Sequence, residues 1–511
     1  MKHITPLLFA AHVFTIAALA QPTWEVGNTT LTEYNLVTGV QLPWEILWGP
    51  DDHIWMTSRT GEVLRIDPET GNYNVVLERN VISNGSGEPG MLGMAMHPDW
   101  ENTPQVFVVY CTGSAWNGDE HLSVFDWDGT ALVNEQTLLT IQAGGIHNGS
   151  RLLVLPDNTL LMTTGDVGSS SLAQLEGSLQ GKTLRLNLDG SIPDDNPIAG
   201  SYVYTIGNRN SQGLALGANG IVYSSEHGQN SNDELNIVSA GGNYGWPQVE
   251  GFCNTASEQA FCADNDVIEP LEAWTPCIAV NGIEYYDHVA IPEWQNSILM
   301  AVLGGLGGQY ERLSVMHLAE DGMSVTGEDQ FFSSFNQRVR DVAVNPYTGS
   351  VYVAFNGTSY PGSGPNIIKE FRNEAFASSL DDEQQLGATL TAFPNPANDV
   401  IRFDWGLPLL QGTYEGYAYN GQLIQQGQLN GNDASLTLAT SEWNAGTYFI
   451  RAFHDQGTVT STFQVSHYAF PHLAHLARIL YRIATCNEIF QCRSTRVGRF
   501  LVLVIRHDCR R

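Results

Sequence analysis

Two residue types that can move a proton stand nineteen positions apart in the stretch 144–166, Gly-Gly-Ile-His-Asn-Gly-Ser-Arg-Leu-Leu-Val-Leu-Pro-Asp-Asn-Thr-Leu-Leu-Met-Thr-Thr-Gly-Asp. His147 follows a glycine pair that permits a tight turn. An apolar run leads away, a Pro-Asp-Asn turn reverses the chain, and a second apolar run returns to Asp166. This pattern predicts a β-hairpin that brings His147 and Asp166 back to one sheet edge. An imidazole oriented by a carboxylate is a general base; a histidine that merely caps a strand would look the same.

Arginines are the second chemical signal. Arg209, Arg338 and Arg340 hold a permanent charge in a chain with 54 acidic against 23 basic residues and a net charge of −31. Gathered in one place they call for an anion, although Asp341 and Asp166 could instead neutralise them one by one. The third signal is Ser-Glu-His-Gly-Gln-Asn-Ser-Asn-Asp-Glu-Leu-Asn, residues 225–236. A glycine that lets backbone carbonyls turn toward a common centre, with a carboxylate from Asp233 or Glu234, is hard-cation chemistry, most simply Ca²⁺. Plain polar turns share that composition.

A repeat decides which elements carry these residues. A turn followed by a short β-branched, aromatic or methionine-bearing strand occurs six times, at Ile54, Val106, Leu160, Ile221, Ile298 and Val351. A spacing of roughly 50 residues with several strands per unit marks a β-propeller, here all-β and six-bladed over 21–373. The longer interval after Ile221 predicts an insertion containing Cys253 and Cys262, close enough for a local disulfide. Cys111 and Cys277 have no evident partner. His147 and Arg338 each precede their repeat strand by 13 residues and Arg209 precedes its own by 12. Equal offsets put them on one face of the disc near its axis.

The flanks read differently. Residues 1–20 have a basic start, an apolar stretch and Ala-Leu-Ala before Gln21, the pattern of a secretory signal. The acidic balance argues against a nucleic-acid partner. Residues 374–390 form a polar, acidic linker, and short alternating strands over 391–465 predict a small β-sandwich. The segment 466–511 has eight Arg, one Glu, one Asp and no Lys. It reads as an anomalous basic tail, either an error in the reading frame or a basic membrane-facing segment.

Three long runs carry a family resemblance: Gly181-Lys-Thr-Leu-Arg-Leu-Asn-Leu-Asp-Gly-Ser-Ile-Pro193, Tyr204-Thr-Ile-Gly-Asn-Arg-Asn-Ser-Gln-Gly-Leu-Ala215 and Gly241-Gly-Asn-Tyr-Gly-Trp-Pro247. The chain from about 42 to 370 resembles the soluble glucose/sorbosone dehydrogenases, six-bladed quinoproteins that use pyrroloquinoline quinone (PQQ) and Ca²⁺. The resemblance implies that His147 is the base for the C1 hydroxyl of an aldose, oriented by Asp166. It implies Arg209 and Asn210 near the quinone oxygens, and Gly228 and Gln229 as the carbonyls beneath a Ca²⁺. Arg338 and Arg340 would bind PQQ carboxylates, and Trp274 would pack near the sugar. The resemblance further implies a lactone product and an external electron acceptor.

Two positions depart from the pattern. Glu88, in Glu-Pro-Gly-Met-Leu-Gly, replaces the family's cofactor-binding glutamine, and Tyr286 stands where glucose-oxidising members have a lysine. With shorter pocket loops these changes resemble the aldose-type branch. They also leave open a non-catalytic propeller that binds a glycan or protein, while a Ca²⁺-dependent lactonase is a third reading. Phe393-Pro-Asn-Pro-Ala-Asn-Asp-Val-Ile-Arg-Phe403, Tyr419-Asn-Gly-Gln-Leu423 and Gly446-Thr-Tyr-Phe-Ile-Arg451 resemble the C-terminal sorting domain of type IX secretion substrates. That implies recognition by the type IX machinery and a secreted or outer-membrane-surface location in a Bacteroidetes-type cell. An adhesive or carbohydrate-binding sandwich is the alternative.

Overall fold

The computed structural model describes residues 21–381 and 391–465, together with 495–497 and 500–502. Within these spans it omits 83–86, 115–116, 219, 306–309, 363, 396, 405–411, 419–422, 430–434, 442, 445 and 455–456. The expected signal segment, the second half of the expected linker and most of the basic tail lie outside the described residues.

Six antiparallel sheets form a ring. Blade 1 runs through Pro43–Trp48, Ile54–Ser58, Glu62–Ile66 and Tyr73–Glu78. Blade 2 has Met91–Met96, Gln105–Ser114, Asn117–Trp127 and Leu132–Ala143. Blade 3 has Gly149–Val154, Thr159–Thr164, Lys182–Asn187 and Val203–Thr205. Blade 4 has Ser211–Leu216, Val222–Glu226, Asp233–Val238 and Glu272–Trp274. Blade 5 has Val280–Tyr286, Ser297–Val302, Arg312–Leu318 and Val325–Phe331. Blade 6 has Val339–Val344, Val351–Phe355 and Asn366–Arg372. The amino-terminal strands Thr29–Val40 and Thr23–Val26 complete blade 6, with Thr32 opposite Arg372. First and last segments thus share one sheet, and the ring closes by hydrogen bonds that local sequence cannot supply.

Each of the six repeat phrases falls at the second strand of a blade. These strands are buried on both faces, which is why they read as continuous apolar runs rather than alternating ones; Ser297–Val302 is buried at every position. The core is divided between neighbouring blades. One layer joins Leu299, Val315, Phe332, Phe355 and Phe371, and another joins Phe107, Leu122, Leu160 and Leu184. The first strands of the blades line the axis, each beside the next around the ring.

The predicted insertion is present between the third and fourth strands of blade 4. Its helix, Ala256–Asn265, starts at a Thr255 cap reciprocated by Glu258 and is closed by the Cys253–Cys262 disulfide. Cys111 and Cys277 are unpaired. A second helix, Glu374–Asp381, occupies the start of the expected linker. The Asn373 side chain begins it by accepting from the Phe376 amide at 3.1 Å while donating to Ala290 O at 2.8 Å. Beyond it, sheets of three and four strands pack face to face over Phe403, Tyr414, Ile450 and Phe463. No helix among the described residues is long and apolar enough to cross a membrane.

Candidate functional site

The blade 3 hairpin pairs Gly149 with Thr164. His147 and Asp166 therefore leave its open end side by side, with His147 Nδ1 2.7 Å from Asp166 Oδ1. Asp166 is almost fully buried. Burial alone would raise its pKa, but the hydrogen bond and charge of His147, the Gly168 amide and the Trp246 indole outweigh it and hold the carboxyl below its ordinary value. An ionised Asp166 requires the proton on Nδ1 of His147, so Nε2 is the basic nitrogen. His147 has φ 57°, a left-handed backbone that is uncommon outside glycine. Gly165 fits beneath it because a Cβ there would lie 1.9 Å from the His147 carbonyl oxygen.

Blade 4 supplies the next wall. The Asp166 amide donates to Arg209 O at 2.8 Å. Asn210 Oδ1 accepts from the Gly149 amide at 3.1 Å, tying the histidine loop to blade 4. Arg209 stacks its guanidinium over Trp246 at 5.4 Å and donates to His227 O at 3.1 Å, while its buried Nε has no hydrogen-bond partner among the described residues. Trp246 is thus clamped between Asp166 Oδ2, 2.9 Å from its indole nitrogen, and Arg209.

The loop after blade 4's second strand carries Gly228 and Gln229, and neither carbonyl accepts a hydrogen bond among the described residues. Two bare carbonyls on one turn suit a hard cation that completes its shell from other oxygens. Asp233 serves differently from the expected metal ligand. Its Oδ1 accepts from the Gly228 amide at 2.8 Å, and its Oδ2 accepts from the amides of Ile278 at 2.7 Å and Ala279 at 2.5 Å. Three amides converge on this buried carboxylate, so it folds the loop rather than facing the hub. No group of three His, Cys, Asp or Glu side chains among the described residues could hold a metal.

Blade 6 brings the cations. Arg338 is buried, its Nε has no hydrogen-bond partner among the described residues, and its guanidinium sits 5.9 Å from the Tyr360 ring. Arg340 donates to Trp44 O at 3.0 Å and lies 4.5 Å from the Trp44 ring, with no carboxylate in ion-pair range among the described residues. Its pKa is pulled down to about 9 by burial first and then by Arg151, Arg59 and Arg338, against the opposing pull of Asp341. Arg59, from the end of blade 1's second strand, joins them and donates to Gly87 O and Pro361 O at 3.0 Å each.

Below this layer Arg151 plugs the axis. It bridges Glu45 and Asp341 at 3.0 Å each, and its guanidinium lies 4.7 Å from the Trp44 ring. Asp341 is therefore spent on Arg151, which is why it does not neutralise Arg340. Gly282 leaves room for the triad, since a Cβ there would strike Asp341 Oδ1.

Two expected site residues lie elsewhere. Tyr286 is fully buried in the core between blades 5 and 6, donating to Gly349 O at 3.0 Å. It ends the strand that Val280 begins, and six steps of ~3.3 Å carry it ~20 Å from the site. The cause is a ten-residue connection to the second strand, 287–296, where blades 3, 4 and 6 use four to six residues. A sequence offset equal to that of Arg209 therefore reaches the opposite end. Trp274 belongs to blade 4's outermost strand, opposite Asp233, and hydrogen-bonds with Glu328 on blade 5; it is a seam between outer strands, not a wall at the hub. Sequence reasoning missed Arg59, Trp44, Arg151, Tyr360 and the role of Trp246, of which only Trp246 stood in a distinctive run.

Comparison with known proteins agrees with this geometry. Residues 40–361 match the family described as Glucose / Sorbosone dehydrogenase, and residues 391–466 match a secretion system C-terminal sorting domain. The quinoprotein glucose dehydrogenase B of Acinetobacter calcoaceticus is 36% identical over 250 residues, 42% of this chain and 52% of that protein, so the match spans about half the length of that relative. The aldose sugar dehydrogenase YliI of Escherichia coli strain K12 is 26% identical over 365 residues, 67% of this chain and 95% of that one. Among solved structures, the PQQ-bound aldose sugar dehydrogenase of Streptomyces coelicolor superposes with a TM-score of 0.56 at 31% identity, covering 66% of this chain and 96% of that one. With a family match over more than half its length and an added sorting domain at its C-terminal end, this chain belongs to the Glucose / Sorbosone dehydrogenase family.

Proposed function

We propose that the protein is an exported dehydrogenase, dependent on PQQ and Ca²⁺, that oxidises an aldose at C1 to its lactone and passes the electrons to an external acceptor. The observation that carries this reading is the gathering of Arg59, Arg338 and Arg340 beside the His147–Asp166 pair. Among the described residues the buried Nε atoms of Arg338 and Arg209 have no hydrogen-bond partner, and Arg340 is a buried cation with no carboxylate in ion-pair range. A buried charge that lacks a partner is costly, and in a protein of net charge −31 such an arrangement fits a polycarboxylate ligand. PQQ is a planar tricarboxylate, and guanidinium forks match carboxylates in pairs.

When bound, PQQ supplies the acceptor for the sugar's hydride, its carbonyl polarised by Ca²⁺. Arg338, Arg340 and Arg59 would hold its carboxylates, Arg209 and Asn210 would border its oxygens, and the carbonyls of Gly228 and Gln229 would hold the Ca²⁺. The chain's own part is proton transfer. His147 Nε2 takes the proton of the C1 hydroxyl while Nδ1 stays on Asp166. The ionised Asp166 then stabilises the imidazolium, and the Trp246 indole keeps that carboxylate from rotating away. Deprotonation at the hydroxyl as the C1 hydrogen departs leaves the lactone carbonyl.

The sorting domain supports export, and the type IX machinery is the partner that it implies. The reading as a non-catalytic binding propeller drew on Glu88 and Tyr286; with Tyr286 in the core, only Glu88 remains to favour it.

The test adds PQQ and Ca²⁺ to purified protein and follows dye reduction over a panel of aldoses. His147→Ala should still bind the quinone but turn over ~10²–10⁴-fold more slowly, the usual effect of losing a positioned base. Absence of any quinone binding by the wild-type protein refutes the reading.

A further inference from the structure

Glu88 occupies a setting built for a carboxylate. Its Oε2 accepts the backbone amide of His147 at 2.8 Å, and its Oε1 accepts the Tyr360 hydroxyl at 3.0 Å. Its own amide donates to Gly145 O at 3.2 Å, two residues before His147. On the far side of the histidine, the Val167 amide donates to His147 O at 3.2 Å, and the ring is held by Asp166. A non-glycine residue in the left-handed region persists only when its surroundings hold it there, and Glu88 supplies the hold on the amino-terminal side. Arg59 steadies the holder: one guanidinium nitrogen donates to Gly87 O and Pro361 O, joining the Glu88 loop to the loop that bears Tyr360.

We propose that Glu88 is a positioning residue for the base: through the amide of His147 it fixes the backbone from which the imidazole projects, and Tyr360 anchors it from blade 6. The same carboxylate sets a negative charge among the arginines, so it opposes the anionic cofactor while aligning the histidine. This inference rests on the redox reading above for its catalytic consequence, but the contact itself belongs to the protein alone.

The experiment compares Glu88→Ala, Glu88→Gln and Tyr360→Phe with wild type in three measurements on the full chain. Amide hydrogen exchange of the segment 144–149 without cofactor reads the contact. Intrinsic-fluorescence titration with PQQ and Ca²⁺ reads affinity, and steady-state kinetics on an aldose separate kcat from KM. Glu88→Ala should speed exchange at His147 and lower kcat by roughly 10–100-fold, the scale of a misplaced catalytic group, with KM little changed. Glu88→Gln keeps an oxygen acceptor, so exchange and kcat should stay near wild type while PQQ binds several-fold more tightly. Tyr360→Phe should fall between the two in exchange.

Equal exchange and kcat in the alanine and glutamine variants would overturn the proposal. So would weaker PQQ binding in both, which would make Glu88 a cofactor ligand. Failure of wild type to bind PQQ would sink the redox reading, while the exchange measurement would still decide whether Glu88 holds His147.

Discussion

Replacing Arg151 with methionine removes the cation that plugs the propeller axis and leaves Glu45 and Asp341 facing each other in a buried hub. The guanidinium makes a 3.0 Å ion pair to each carboxylate and a 2.9 Å bond to Gln212 O. Methionine keeps the length and much of the packing against Trp44 but none of the charge. Breaking a buried pair by removing one partner costs about 3–5 kcal/mol. The propeller strands span ~350 residues, so at ~2.1 cal/mol/K per residue the unfolding entropy is ~0.7 kcal/mol/K, and the melting temperature should fall by ~4–7 °C.

The loss should depend on pH in a definite direction. Burial already raises the Glu45 carboxyl to about 7 in wild type, with Arg151 opposing that rise and Asp341 adding to it. Without Arg151 the folded value climbs further. Between the unfolded value near ~4 and the raised folded value, the native state binds more protons than the unfolded one, so stability increases as pH falls. Thermal melts by near-ultraviolet circular dichroism should therefore show the largest deficit near pH 8 and a smaller one near pH 5. A variant that melts with wild type at pH 8, or whose deficit widens toward pH 5, would refute the claim that Arg151 compensates two buried carboxylates.

Asp166→Asn should lower kcat far more than it alters PQQ binding, because the amide can no longer stabilise an imidazolium at His147; pre-steady-state dye reduction checks this. The folded Asp166 is held below its ordinary value, burial being outweighed by its hydrogen bonds and His147. Its contribution to stability is therefore full above the unfolded value near ~3.9 and lost as pH falls through the folded one, so wild type and Asp166→Asn should converge in acid melts. Arg338→Ala should weaken PQQ binding by fluorescence titration while leaving the melting temperature of the apoprotein unchanged or higher, since it removes a buried Nε that has no hydrogen-bond partner among the described residues. Cys253→Ser with Cys262→Ser should open the capped insertion helix to limited proteolysis between 251 and 266 without moving the melting temperature of the propeller.

Local sequence was sufficient for whatever depends on near neighbours or on repetition. The six repeat phrases marked the second strand of every blade because a strand buried on both faces must be apolar throughout. The pairing of His147 with Asp166 was legible because one short hairpin joins them, and the insertion disulfide because its cysteines stand only nine positions apart. Arg338 and Arg340 could be placed together because they stand two residues apart just before one repeat strand, at the start of the blade 6 strand Val339–Val344.

Tertiary structure decided the rest, because those contacts join distant parts of the chain. Trp246 reaches Asp166 across 80 residues, Arg151 reaches Asp341 across 190, and Tyr360 reaches Glu88 across 272. Nothing near Arg59 in sequence announces that it staples two loops at the hub. Tyr286 shows the limit most plainly. The resemblance implies a place beside the cofactor, yet the residue ends its strand before the ten-residue connection 287–296 and lies in the core between blades 5 and 6. Repetition in the sequence marks a ring of six sheets and the hairpin that joins His147 to Asp166; the closing of that ring decided how the hub charges pair, because it brings Arg151 to both Glu45 and Asp341 and leaves Arg340 without a carboxylate in ion-pair range among the described residues.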